Sequence, residues 1–246
     1  MISLLNRFTL FLALAAAVGC ATDQTVKKTS EQYLKEAEEL SAKGRYDEAI
    51  TQWKKVKESY LTPDVTAMAE LKIADAHYAK AAWIEAAAAY EDFRKLHPRH
   101  DKAPFALYRM ALSNYNQIEK IDTDQTPVKN AAASLALFLQ QYPQTEYVKD
   151  AADKLALCRL KMARHELYVG RFYFRIDKYV SAIGRLEGII KKYPDTPVID
   201  ETLYYLGASY IRSGEIAKGK EALQRLVDKF PVGVFNEKAR KLLAAR

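Results

Sequence analysis

From Ser30 onward, small apolar, bulky apolar and charged residues recur at the spacing of helical turns, and the order in which they recur is repeated five times. Counted from the first residue of each unit, positions 8 and 20 are small, positions 24 and 27 are bulky and apolar, and position 32 is proline. The unit at Ser30 supplies Ala37, Ala49, Trp53 and Val56. The unit at Ala67 supplies Ala74, Ala86, Tyr90, Phe93 and Pro98. The unit at Pro104 supplies Ala111 and, after an insertion, Ala131, Leu135, Phe138 and Pro143. The unit at Ala163 supplies Gly170, Ala182, Leu186, Ile189 and Pro194, and the unit at Asp200 supplies Gly207, Gly219, Leu223, Leu226 and Pro231. Only the first unit lacks the terminal proline; Leu61 stands there and Pro63 follows.

Two antiparallel helices approach closely only where side chains are small, which positions 8 and 20 satisfy in every unit. Positions 24 and 27 fill the groove toward the next unit, and proline stops the second helix because it cannot continue the hydrogen-bond ladder. A single pair cannot bury its own apolar face, whereas stacked pairs can. This is the tetratricopeptide pattern. It predicts an all-α tetratricopeptide-repeat solenoid of five helix pairs.

Two departures break the regular spacing. The third unit carries extra polar residues between its helices, from Ile118 to Pro127. Ahead of the fourth unit, no Gly or Pro other than Gly170 occurs from Glu146 to Arg175. That run predicts one long helix opening the fourth unit, about 45 Å at 1.5 Å per residue. The expected division is therefore an N-terminal half, 30–145, with repeats one to three, and a C-terminal half, 146–246, with repeats four and five.

Residues 1–19 are of another kind. One positive charge, Arg7, precedes the apolar run Phe8–Val18, which is too short to cross a hydrocarbon layer of about 30 Å as a helix. It fits a secretory signal. Ala17-Val18-Gly19-Cys20 resembles the lipobox of bacterial lipoproteins, which implies acylation of Cys20 and cleavage ahead of it. Several acyl chains together anchor stably where one alone is marginal. Residues 20–29 then form a lipidated linker reaching about 30 Å from the membrane.

Composition narrows the function classes. Hydrophobic residues make up 49% of the 246, enough for a substantial core. The net charge of +7 is spread along the chain rather than gathered in a basic stripe, which argues against nucleic acid. No phosphate-binding glycine loop, nucleophile elbow or zinc-ligand pair occurs, so the chain reads as a scaffold rather than an enzyme, with no cofactor or metal. His97 and His100 fall at the end of the second unit, and His165-Glu166 lacks a second histidine at position 169. With Cys20 acylated, Cys158 is left among leucines as a buried structural thiol.

Further stretches carry a family resemblance. His165-Glu-Leu-Tyr-Val-Gly-Arg-Phe-Tyr-Phe174, Ala182-Ile-Gly-Arg185-Leu-Glu187, Tyr193-Pro-Asp-Thr-Pro197, the Asp122-Thr-Asp-Gln-Thr insertion and Gln141-Tyr-Pro-Gln-Thr-Glu-Tyr147 resemble the BamD family. These are outer-membrane lipoproteins of the β-barrel assembly machinery. The resemblance implies a lipid anchor at the periplasmic face of the cell outer membrane. It further implies binding of unfolded outer membrane proteins and of the periplasmic POTRA domains of a BamA-type barrel subunit. The accessory lipoproteins BamB, BamC and BamE are open as further partners. Arg185 matches the arginine that meets an acidic patch on the last POTRA domain; read from the residues alone it is a solvated surface charge.

First helices of tetratricopeptide units line the concave groove through positions 2, 5, 9 and 12. In units two and three these are Met68, Leu71, Asp75, Tyr78, Phe105, Tyr108, Leu112 and Tyr115. An aromatic-rich strand, such as ends an outer membrane protein, suits such a groove. Repeat position does not tell which rings face the groove and which pack between helices. Another tetratricopeptide lipoprotein, such as a pilotin that escorts secretin subunits, is the alternative; it would lack the insertion and the long helix.

Replacing the anchor residue, Cys20→Ala, is expected to leave the protein unprocessed or free in the soluble periplasm with its helical array intact. Fractionation with outer membranes after a high-salt wash would show instead that lipid is not the main anchor.

Overall fold

The structure is a computed structural model that describes residues 28–59 and 62–244. The leader, Cys20 and most of the linker lie outside the described residues. Those described contain eleven helices and no strand. Five antiparallel pairs stack in order: α1 (Ser30–Ala42) with α2 (Tyr46–Glu58), α3 (Pro63–Ala79) with α4 (Trp83–Leu96), α5 (Ala103–Asn116) with α6 (Thr126–Gln141), α7 (Val148–Arg175) with α8 (Tyr179–Lys192), and α9 (Ile199–Arg212) with α10 (Ile216–Lys229). The expected solenoid is present, and α7 is the expected long helix at 28 residues. No described helix is long and apolar enough to cross a membrane.

The periodic positions do what their sizes dictate. The alanines at positions 8 and 20 are all fully buried at the crossings. Trp53, Tyr90, Leu135, Leu186 and Leu223, all at position 24, are equally inaccessible. In the fifth unit both crossing residues are glycine. A Cβ on Gly207 would lie 2.6 Å from Leu223 Cγ, and one on Gly219 would lie 2.6 Å from Ile211 Cγ1 and 2.8 Å from the Gly207 carbonyl oxygen. The backbones there are closer than alanine permits.

The turn inside each pair follows one rule. Gly44, Ala81, Asp177 and Gly214 all occupy repeat position 15, and all have left-handed φ between 56° and 93°. The residue after each donates its N–H back to the carbonyl five residues earlier: Arg45 to Leu40, Ala82 to His77, Lys178 to Tyr173 and Glu215 to Tyr210. This is the Schellman arrangement, which satisfies carbonyls that the end of a helix leaves open. The third unit carries its insertion at this point instead. In units two to five the second helix ends two residues before the proline. His97, Tyr142, Tyr193 and Phe230 leave the helical region, as the residue ahead of a proline must.

The two irregular segments pack on each other. Ile118 of the insertion lies against the apolar cluster of α5, α6 and the first half of α7. His165 Nδ1 donates to the Ile121 carbonyl oxygen at 2.6 Å, tying the insertion to the long helix. The first half of α7 gives Ala151 and Cys158 to that cluster, and the second half gives Ala163 and Leu167 to the cluster of α8, α9 and α10. Burial pushes the Cys158 thiol up to about 11, so it is inert.

Two features lie outside the repeat reading. The α3 helix begins four residues ahead of the second unit's frame, capped by the Thr62 hydroxyl, which accepts from Val65 N–H at 3.2 Å. Beyond Pro231 an eleventh helix, α11 (Val234–Ala244), covers the open end of the last pair with Phe235, Ala239, Leu242 and Leu243. Buried Asn236 donates from Nδ2 to the Phe230 carbonyl oxygen at 2.7 Å, closing the end of α10.

Alanine in a helix ordinarily stabilises relative to glycine, but Gly219→Ala is expected to cost about 1–3 kcal/mol through overpacking. Ala81→Gly is expected to gain about 0.5 kcal/mol or more by relieving a left-handed non-glycine residue. Thermal melts followed by circular dichroism check both, and the same sign for the two would contradict these backbone assignments.

Candidate functional site

The first helices of units two and three bring most of the expected groove residues together. The Tyr78 ring packs edge-on against Trp83, with centroids 5.0 Å apart, and against Tyr90 at 6.4 Å. Tyr90 meets Phe105 at 6.3 Å, and Phe105 meets Tyr147 at 6.3 Å. Tyr108 stacks on Tyr147 with centroids 4.5 Å apart and planes 14° from parallel. The result is a continuous aromatic band running from α3 to the residue ahead of α7. Each of Tyr78, Phe105, Tyr108 and Tyr115 is half-buried, with part of its surface in the packing and part open. Met68 lies instead against the cluster of the first unit, and Leu71 against that of the second.

Polar groups hold the band in place. Tyr90 Oη donates to Asp75 Oδ1 at 2.6 Å, and burial together with that carboxylate pushes the Tyr90 hydroxyl far up. Tyr108 Oη donates to Asp150 Oδ2 at 2.6 Å, joining α5 to α7. Lys154 Nζ reaches Asp150 Oδ1 at 2.7 Å and lies over the Tyr115 ring at 5.6 Å. Burial pushes the Asp150 carboxyl up. The hydrogen bonds from Lys154 and Tyr108 outweigh it and hold that carboxyl below the usual carboxylate range. Tyr108 is therefore as much a clasp between helices as a groove surface.

Four members of this site lie outside the repeat positions used to find it: Trp83, Tyr90, Tyr147 and Arg109. Arg109 places its Cζ 4.4 Å from the Tyr78 ring centroid and 5.2 Å from that of Phe105. A signal was present in the sequence, because Arg109 is the only charged residue in α5.

Arg185 stands apart, on α8. Its side chain is 47% exposed, and Nη1 lies 3.0 Å from Glu166 Oε2 of α7. It borders a shallow depression of about 470 Å³ with Glu166, Tyr173, Val180, Gly184 and Gly188. Val180 is 77% exposed. Neither glycine is required by the fold, since a Cβ at either would meet nothing within 4 Å. Glycine inside a helix costs about 0.5–1 kcal/mol relative to alanine. Two unneeded glycines on one exposed face leave room for another backbone to approach.

The sequence profile of the YfiO family, described as outer membrane lipoprotein, matches residues 26–226. The outer membrane protein assembly factor BamD of Caulobacter vibrioides is 28% identical over 211 residues, 82% of this chain and 68% of its own. BamD of Neisseria meningitidis serogroup A is 26% identical over 245 residues, 92% of this chain and 91% of its own. BamD of Rickettsia prowazekii is 30% identical over 175 residues, 71% of this chain and 70% of its own.

The clasp has a pH signature. Because the Asp150 carboxyl is held low in the folded state, its contribution is present above the unfolded value near 4 and is lost as pH falls through the folded value. Tyr108→Phe is expected to lower stability by about 1 kcal/mol at neutral pH, the low end for a bond to a half-exposed charge. The deficit should shrink below about pH 4. Parallel melts at pH 7 and in acid check this, and a deficit unchanged by pH would mean that the carboxylate is not the acceptor.

Proposed function

This chain belongs to the BamD (YfiO) family of outer membrane lipoproteins, and on that premise we propose that it is a lipid-anchored scaffold of the β-barrel assembly machinery. Its groove holds the C-terminal strand of unfolded outer membrane proteins. Its α8 face, centred on Arg185, binds the POTRA region of a BamA-type barrel subunit. The whole assembly sits at the periplasmic face of the outer membrane, tethered through Cys20. The observation that carries this reading is the extent of the family match, which runs from residue 26 to residue 226, into the second helix of the fifth repeat.

Local chemistry supports each assignment. A strand rich in aromatic residues finds matching rings in the band from Tyr78 to Tyr108, where edge and offset contacts are favourable. Arg185 offers a planar guanidinium able to grip a carboxylate through two parallel hydrogen bonds. Its present partner Glu166 is a half-buried surface ion pair of small worth, readily exchanged. Gly184 and Gly188 flank it with the clearance that a docking backbone requires. The two surfaces use different helices, so a subunit can hold substrate and barrel partner together.

A crossed binding experiment tests both sites. Arg185→Glu is expected to weaken capture by an immobilised POTRA region by about 2–5 kcal/mol if the pair is buried on docking. Binding of a labelled last-strand peptide should be unaffected. Tyr78→Ala combined with Tyr115→Ala should do the reverse, costing about 1–3 kcal/mol of peptide affinity. Circular dichroism controls for folding. Equal POTRA capture by wild type and Arg185→Glu returns Arg185 to the solvated surface, and undiminished peptide binding by the double variant removes the groove assignment.

A further inference from the structure

Arg109 is a cation set among aromatic rings with no ion-pair partner among the described residues. It is the sole charged side chain of α5 and lies against the rings of Tyr78 and Phe105. Its Nε is shielded from solvent and donates to no acceptor among the described residues. No described carboxylate lies within ion-pair distance of it. The nearby acids of the band are already engaged: Asp75 accepts from Tyr90, and Asp150 accepts from both Tyr108 and Lys154.

Contact with two rings stabilises the charge through their faces. It leaves the in-plane N–H donors untouched, and a shielded donor without an acceptor is costly. What would complete the group is an anion of planar, two-oxygen geometry approaching the terminal nitrogens of this half-buried side chain, since Nε itself is closed off. Within a strand of mainly apolar and aromatic residues, one such group is always present: the α-carboxylate of the final residue.

We propose that Arg109 anchors the C-terminal carboxylate of the substrate strand, with the terminal side chain lying against Tyr78 and Phe105. The proposal rests on the groove reading above and deepens it, because it fixes the direction and register of the bound strand. Main-chain pairing alone tolerates sliding; a single charged end does not. A side-chain carboxylate near the end of the strand offers the same chemistry, so the test separates the two sources.

The probe is a fluorescent peptide copied from the last strand of an outer membrane protein, titrated against the full mature protein in detergent. It is made as the free acid, as the C-terminal amide, and as the free acid with every acidic side chain replaced by its amide. Wild type is expected to bind the C-terminal amide about tenfold to hundredfold more weakly than the free acid, the worth of a charge-assisted hydrogen bond. Neutralising the acidic side chains should change little. Arg109→Gln should bind acid and amide alike, at the weaker affinity, and Arg109→Lys should recover only part of the preference, because lysine lacks the planar fork. Equal binding of acid and amide by wild type overturns the anchor whether or not any variant folds. Loss that follows the side-chain acids instead of the terminus also overturns it. If acid and amide bind equally yet Tyr78→Ala with Tyr115→Ala still weakens binding, the groove stands and only the anchor falls. If no form of the peptide binds wild type, both fall together.

Discussion

Every level of this structure depends on how closely two antiparallel helices can approach. Ten crossing positions carry only alanine or glycine, and at Gly207 and Gly219 not even one added carbon would fit. That contact fixes the angle and separation of each pair. It thereby determines where the bulky residue at position 24 lands, and so where the next pair stacks. The aromatic band from Tyr78 to Tyr147 takes the spacing of its rings from the same constraint. Exposed side chains such as Arg185 can vary in what they touch; the alanines cannot, because any larger residue would part the helices on which the groove is built.

The repeat frame was legible because it is written in size, and size survives in sequence. Alanine at 74 and 86, tyrosine at 90 and proline at 98 each have a physical reason that a reader can state without coordinates. The long helix was equally legible from the lack of glycine and proline. Other features were not, for identifiable reasons. The left-handed turn at position 15 holds glycine in two units but alanine at 81 and aspartate at 177, so no residue type marks it. Helix α11 follows the last proline with no partner helix, and pair periodicity is silent on a single capping element. Positions 2, 5, 9 and 12 pick out Tyr78, Phe105 and Tyr108, whose rings share one aromatic band in the fold. That Tyr108 is clasped to Asp150 depends on α7, far along the chain, and sequence spacing does not reach that far. Arg109 lay one position from Tyr108, outside the template; its isolation as the only charge on its helix was the available clue.

The insertion in unit three and the extra turns opening unit four look in sequence like two separate irregularities. In the fold they meet. The insertion displaces the usual turn, and the first half of α7 provides the surface on which Ile118 rests and the imidazole that holds Ile121. Each supplies neighbours to the other, through the packing of Ile118 and the His165 hydrogen bond to Ile121.

Helix α7 contributes to two apolar clusters, one on each side of its midpoint. In an ordinary stack each repeat touches only its neighbours, the array behaves as a chain of weakly coupled units, and ends fray one pair at a time. A single 28-residue helix shared between units three and four couples them through one continuous backbone as well as through packing. Melting should therefore proceed inward from both termini and stall there, with the central repeats opening as one cooperative block. The same continuity places the Asp150 end of the Tyr108 clasp and the surface on which α8 packs on one stiff rod, so a rotation of one half is carried directly to the other.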